Sequence, residues 1–375
     1  MTVSLNGTSG ITFPDASVQN TAATGFGFKN RLINGNMVID QRNAGAAIST
    51  PNGYTVDRFR VNQTTTGKLS AQQNAGSVTP PTGFSNYLGT TSLSAYTVAA
   101  GDAYWIDQAI EGFNFSDMAF GTANAKTITL SFWVYSSLTG TFGGALRNSA
   151  TTRSYPFTYT ISSANTWTQI AVTIAGDTTG TWIGGTNGVG VYVSWGLGVG
   201  STYSGTAGAW AGANYISATG AQSIVGTSGA TFYITGVQLE KGSTATAFDY
   251  RPYGTELALC QRYYFKTYNQ GVAPGTASQL YTGEYQGICY TSSDTYSFGY
   301  GLNFPVTMRT APTIAGYNPS SGTLATFWDF VSAAQNGSIG VSGTGTNGIS
   351  RIYNVSSSWV NGHNVAIHVT ASAEL

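Results

Sequence analysis

Ile128, Leu130, Phe132 and Val134 alternate strictly with Thr127, Thr129, Ser131 and Trp133. A period of two sends successive side chains to opposite faces of an extended backbone, so the run reads as a strand and not as a helix. The same alternation recurs along the chain. It carries Tyr104, Ile106, Gln108 and Ile110, then Tyr155, Phe157, Tyr159 and Ile161, then Ile170, Val172 and Ile174. Val189, Val191, Val193, Trp195 and Leu197 follow, and near the end Tyr296 to Phe304 and Val365, Ile367 and Val369. Gly, Asn and Asp punctuate the gaps. Strands so spaced, with turn residues between them, predict an all-β chain built as an antiparallel jelly-roll β-sandwich. Pro156 cannot donate to a ladder, so its strand belongs at an edge.

The stretch 231–265 reads as a joint. Phe232 and Ile234 share one phase, whereas Val237 and Leu239 are one residue out. Gly236 sits at the slip, which predicts a β-bulge that restores the facing. Gly242 and Ser243 form a turn, and residues 248–252 an extended exit. Thr255 is placed to cap one short helix, 256–262, with Glu256 in its first turn and Arg262 in its last. Tyr253, Leu257, Leu259 and Tyr263 are spaced to pack that helix between two β domains. The expected organisation is an amino-terminal attachment segment at 1–28, a jelly-roll at 29–252, the helical joint at 253–264 and a smaller carboxy-terminal β-sandwich at 265–375.

Only 8% of the residues are charged, and Lys plus Arg and Asp plus Glu both count 15. Ordinary soluble chains carry about 25%. No basic groove is available, which argues against nucleic acid. No apolar run reaches the roughly 18 residues that a membrane span needs, so no membrane insertion is expected. The first residues lack the basic and apolar regions of a signal peptide. Cys260 and Cys289, the two cysteines, are expected as free thiols. A neutral, charge-poor surface leaves little repulsion between copies, which predicts an oligomer. Strand 126–137 argues the same way. Its second face carries Trp133 and Tyr135, and a two-layer sandwich buries one face of each sheet, so the other face needs a partner or a ligand.

NRLINGNMVIDQRNAG at 30–45, YTVDRF at 54–59, KTITLSFWVYSS at 126–137, the glycine-led run 236–264 and FPVTMRTAPT at 304–313 together resemble bacteriophage tail fibre and tail receptor-binding proteins. GTSGITFPDASVQNTAA at 7–23 is similar to the leader of such proteins. The resemblance implies a virion protein with a carbohydrate-binding-module-like jelly-roll. It also implies attachment to other tail proteins through the leader, a host surface glycan as ligand, a homotrimer, synthesis in the host cytoplasm and release by lysis.

Enzymatic chemistry finds little support. Asp107 and Glu111 beside Trp105 are the best carboxylate pair for glycoside hydrolysis, but a solvated or interface face explains them better, since fold and spacing alone do not make a site. No catalytic residue is assigned. His363 and His368 are five apart on one strand and point to opposite faces, which argues against zinc. No cofactor is expected beyond a structural calcium, for which Asp40, Asp57 and Asp249 are the candidate ligands. The aromatics carry the binding signal. Trp133, Tyr135, Trp182, Tyr203, Trp210 and Tyr215 either stack on sugar rings or pack in core and interface. The Gly-, Ser- and Thr-rich stretch 198–229 is the candidate binding loop.

Overall fold

The computed structural model describes residues 4–6, 10–12, 18–19 and 28–375, apart from 293–294, 299–300 and 356–359. Three short strands, β1 (Ser4–Asn6), β2 (Gly10–Thr12) and β3 (Val18–Gln19), pair antiparallel in that order. The remainder of the expected attachment segment lies outside the described residues.

Next come β4 (Gly53–Tyr54), β5 (Arg60–Gln63), β6 (Leu69–Gln73), β7 (Leu88–Ser92), β8 (Ala103–Glu111) and β9 (Ile128–Ser136). They are followed by β10 (Gly140–Arg147), β11 (Ser154–Ile161), β12 (Thr168–Ile174), β13 (Val189–Val199), the two-residue β14 (Ser204–Gly205) and β15 (Ser217–Ala218), and β16 (Thr231–Lys241). Two antiparallel sheets result, one of six strands in the order β11-β10-β13-β8-β5-β4 and one of five in the order β12-β9-β16-β7-β6. This is the jelly-roll sandwich, and β11 with its Pro156 is an edge strand. Between the sheets, Phe132 meets Tyr159 edge-on at 5.1 Å and Trp195 at 5.7 Å. Each such side chain removed from water contributes about 1.5–3 kcal/mol.

The bulge falls where the phase slips. Strands β16 and β9 pair in register up to Thr235 and resume at Gln238. Gly236 has φ 61°, and a Cβ there would lie 2.6 Å from the Phe84 ring. Val237 and Leu239 thereby return to the core, both fully buried.

The second face of the five-stranded sheet is covered by the chain itself. Tyr135 stacks on Tyr233 at 5.3 Å, Tyr87 lies 5.1 Å from Tyr233, and Trp167 closes on Tyr135 at 5.5 Å. The segment 74–87 folds over this ladder: the Trp167 indole N–H donates to the Thr79 carbonyl at 2.8 Å and the Tyr87 hydroxyl to that of Ala75. Tyr135 therefore needs no second molecule, and the inference of an oligomer from this face fails. Sequence periodicity sees strands but not a loop that returns across them.

Helix α1 spans Tyr253–Gln261, two turns that begin earlier than Thr255 because Pro252 opens them. Its buried residues are Glu256 and Cys260, whereas Tyr253 is 53% exposed and Leu257 and Leu259 are half-buried. Glu256 is a buried acceptor rather than a surface partner of the helix dipole: it takes the Asn34 backbone N–H and pairs with Arg251 at 3.2 Å. Asn34 and Gly35 make a turn but no hairpin, because the Asn34 side chain bonds to Ile39 and to the Asp57 carbonyl.

Beyond α1 lie β17 (Tyr264–Lys266), β18 (Tyr285–Ser292), β19 (Thr295–Phe298), β20 (Leu302–Asn303), β21 (Thr313–Tyr317), β22 (Phe327–Asp329), β23 (Ala334–Asn336), β24 (Ile339–Gly345), β25 (Gly348–Asn354) and β26 (Asn364–Ser372). The expected run 296–304 is divided between β19 and β20, with residues 299–300 outside the description. All ten strands form one hydrogen-bonded network around a separate apolar core. Strand β26 is its axis: residues 364–367 pair with β18, and 368–372 pair with β21.

Ion pairs join the two cores. Glu374 binds Arg42 at 2.9 Å and also Arg58, whose guanidinium lies 3.6 Å from the Tyr263 ring centroid. Glu111 accepts from Arg262 at 2.6 Å and from the Tyr263 hydroxyl at 2.6 Å. Among the described residues, no helix is long and apolar enough to cross a membrane.

Candidate functional site

The outward face of the six-stranded sheet brings polar and aromatic side chains together, with Arg60, Trp105 and Tyr192 half-buried and Asn62, Asp107, Arg147 and Ser194 buried. Tyr104, Ile106 and Ile110 of β8 and Val191, Val193 and Trp195 of β13 point into the core. Alternation therefore turns Trp105, Asp107, Tyr192 and Ser194 outward. The register sets them in rows. Arg60 faces Asp107, which faces Ser194, and Asn62 faces Trp105. Tyr192 lies between Ala109 and Arg147.

Asp107 is the hub, with its side chain 1% exposed. Both its oxygens accept from Arg60 at 3.1 Å, the Trp105 indole N–H donates to it at 2.8 Å, and an Arg147 nitrogen lies 3.8 Å away. Arg147 lies against two rings, 5.2 Å from the Tyr192 centroid and 5.9 Å from that of Trp105. Its other contacts are Asn214 at 3.0 Å and the Ser194 hydroxyl at 3.4 Å. Trp105 and Tyr192 are half-buried and stand four residues apart along the strand direction, about 13 Å. That is the span of an oligosaccharide rather than of one ring. Aromatic faces flanking fixed hydrogen-bond donors and acceptors are the means by which an open sheet holds a sugar.

The loop 198–229 frames this face. Ser217 sits over Gly143 and Gly196, where a Cβ would come within 2.6 Å of its hydroxyl. The Ser154 hydroxyl donates to the Ala213 carbonyl at 2.8 Å, and Ala211 bridges to Ser154. Small residues in β10 and β13 thus let the loop seat on half of the sheet, and Asn214 reaches from it to Arg147.

The six aromatics singled out in the sequence go to three other places. Trp133 and Tyr135 lie on the five-stranded sheet, Trp133 beside Phe84 at the bulge. Phe84, Phe248 and Tyr250 cluster there within 5.6 Å of one another. Trp182 and Trp210 meet edge-to-face at 5.5 Å with Phe120 at one end of the sandwich. Their indole N–H groups are taken by Asp177 and the Ala175 carbonyl. Tyr203 and Tyr215 are half-buried in the loop, the Tyr215 ring against Gly205. Trp105 and Tyr192 were not among the aromatics singled out. The signal was present: each is a large aromatic on the polar phase of an alternating strand.

Asp107 and Glu111 are separately engaged, the first with arginines on the sheet and the second with Arg262 and Tyr263 at the joint. The candidate calcium ligands are also dispersed. Asp40 accepts from Asn43 and Gly45, Asp57 from Gln41, and Asp249 from Lys29 and Asn30. Among the described residues, no three His, Cys, Asp or Glu side chains gather as a metal site. His363 pairs with Asp329 at 2.8 Å, and His368 is buried against Tyr268. A cavity of about 270 Å³ lies apart from the Trp105 face, at the joint, lined by Phe28, Arg31, Arg251 and Leu259 among others.

No family model matches the chain, and no curated protein matches it. Among solved structures it is similar to a CBM4 module, with 15% identity over 56% of this chain and 98% of that one, at a TM-score of 0.28. It is also similar to a family 11 carbohydrate-binding module from Clostridium thermocellum in complex with a mixed-linked tetrasaccharide. Identity there is 11% over 54% of this chain and 98% of that one, at a TM-score of 0.28. At these scores the fold assignment rests on the sheet order and register described above.

Proposed function

We propose that this chain is a virion tail fibre protein that adsorbs to a host-cell glycan through the Trp105 face. The observation that carries the glycan reading is the half-buried pair Trp105 and Tyr192 flanking the Arg60–Asp107–Arg147 network on the outward face of the sheet. The virion assignment is supported by the sequence resemblance at 30–45, 126–137 and 236–264. Such a contact is shallow and weak at one site, and a homotrimer with several fibres per particle would multiply it. The residues before 28 would attach the protein to other tail proteins. The carboxylate pair that a depolymerase would need is engaged in separate ion pairs, which favours adhesion over catalysis.

An array of neutral and acidic glycans is the direct test. Trp105→Ala and Tyr192→Ala should each abolish retention on the array and slow adsorption of particles, with the fold intact by circular dichroism. Unchanged retention in both variants would overturn the reading.

A second reading, assembly or decoration without a receptor role, has its own support. Tyr281, Ile288, Tyr290, Val331, Val355 and Val360 of the carboxy-terminal domain are all more than 45% exposed. Exposed apolar groups, where they gather, suit a contact with other chains or copies. Light scattering across a dilution series tests self-association, and a stable monomer throughout would reject the trimer.

A further inference from the structure

The Trp105 face carries more positive charge than negative. Arg60 and Arg147 share the single carboxylate of Asp107, so two cations against one anion leave a net charge of +1. The remaining titratable groups acting on Arg147 are the Tyr192 phenol and Arg60 itself. The Arg147 side chain is 6% exposed. Burial pulls its guanidinium below the ordinary value, and Asp107 offsets this only in part. An arginine keeps its proton in a protein, so the result is a poorly solvated, undercompensated cation.

Two donors on the same face have no acceptor. They are Nε of Arg147 and Nδ2 of Asn62, on residues 5% and 1% exposed. Buried donors without partners are rare and costly, and these two add to the uncompensated polarity beneath the face. A neutral sugar would offer hydroxyl acceptors but leave the charge in place. A sugar carboxylate would answer the charge, reaching it through Arg60, whose side chain is 23% exposed.

We propose that the ligand of this face is an acidic glycan whose carboxylate lies against Arg147 and Arg60, with its rings on Trp105 and Tyr192. This rests on the glycan reading above and narrows it to one chemical class. A charge-assisted contact of this kind is worth roughly ten- to a hundredfold in affinity.

The full chain is titrated calorimetrically with four probes in two matched pairs: oligogalacturonate with its methyl ester, and sialyllactose with lactose. At least one acid should bind tenfold or more tightly than its neutral counterpart. The advantage should shrink as salt is added and be lost in Arg60→Gln and Trp105→Ala. Arg60 is the residue to change because it is 23% exposed at its side chain, whereas loss of Arg147 endangers the fold. Equal binding of acid and neutral partner would overturn the charge inference and leave the glycan reading standing. Acid binding that survives both substitutions would put the site elsewhere. Binding of neither acid would overturn the acidic class, with the glycan array then deciding the broader reading.

Discussion

Glu374→Ala should unlatch the two domains. The Glu374 carboxylate is 9% exposed and is shared by Arg58, itself 2% exposed, and Arg42. Removing one partner of a buried pair costs about 3–5 kcal/mol, because the charge left behind stays desolvated. Each arginine keeps other contacts. Arg58 retains the Ala109 carbonyl at 2.6 Å and the Tyr263 ring, and Arg42 retains Asp57 at 3.7 Å and the Tyr264 ring at 3.7 Å. The Nε of Arg58 has no partner even with Glu374 present. The loss is therefore set at the low end, about 3 kcal/mol. For a unit of roughly a hundred residues that lowers the melting temperature by about 14 °C. Differential scanning calorimetry reads it as a downward shift of the carboxy-terminal transition. The double change Arg58→Met with Glu374→Met should restore part of the stability, since that apolar pair carries no desolvation cost while Arg42 still lacks Glu374. A Glu374→Ala chain melting within a degree or two of the wild type would refute the reasoning, and so would a double variant as weak as the single.

The two cores should respond oppositely to acid. His368 is buried against Tyr268 at 3.8 Å, and burial lowers its pKa, so its stabilising share is full above the free value of about 6.5 and lost as pH falls from there through the lowered pKa. Asp57 is raised to about 6 by burial, against the pull of Arg42, so its share is largest at low pH and lost as pH rises through 6. Scans at pH 7, 6 and 5 should lower the carboxy-terminal transition and raise that of the sandwich, and His368→Gln should flatten the first trend; parallel movement of both would contradict the assignment. Gly236→Ala should cost about 2 kcal/mol or more, from the left-handed φ and the Phe84 contact, measured by urea unfolding. Wild-type stability there would mean that the bulge relaxes.

The strands were legible because each sheet buries one face, and burial of one face writes a period of two into the sequence. The same logic exposed the bulge, since a slipped phase can be repaired only by an extra residue, and a glycine at the slip accepts the positive φ. Pro156 marked its edge because a missing N–H is intolerable between two strands. The helix boundary was misjudged for a local reason. Thr255 looks like a cap, but Pro252 fixes the backbone three residues earlier, and Glu256 turns inward to the Asn34 amide instead of serving the helix end.

The sequence candidates and the Trp105 face part company over the meaning of an outward aromatic. Tyr135 and Trp105 have the same sequence signature: a large ring on the polar phase of an alternating strand. They differ in what returns across them. Over Tyr135 comes the segment 74–87, which supplies Tyr87 and the Thr79 carbonyl that holds Trp167, so the ring becomes part of a satellite core. The segment that returns across the other sheet, 198–229, seats itself on Gly143 and Gly196. Those glycines admit it on one half of the sheet only, and it reaches Arg147 by the tip of Asn214. Trp105 is left beside two guanidiniums that, among the described residues, no carboxylate but Asp107 answers. An outward aromatic over which the chain folds back is packing. An outward aromatic beside a charge that the chain leaves undercompensated calls for something from outside it.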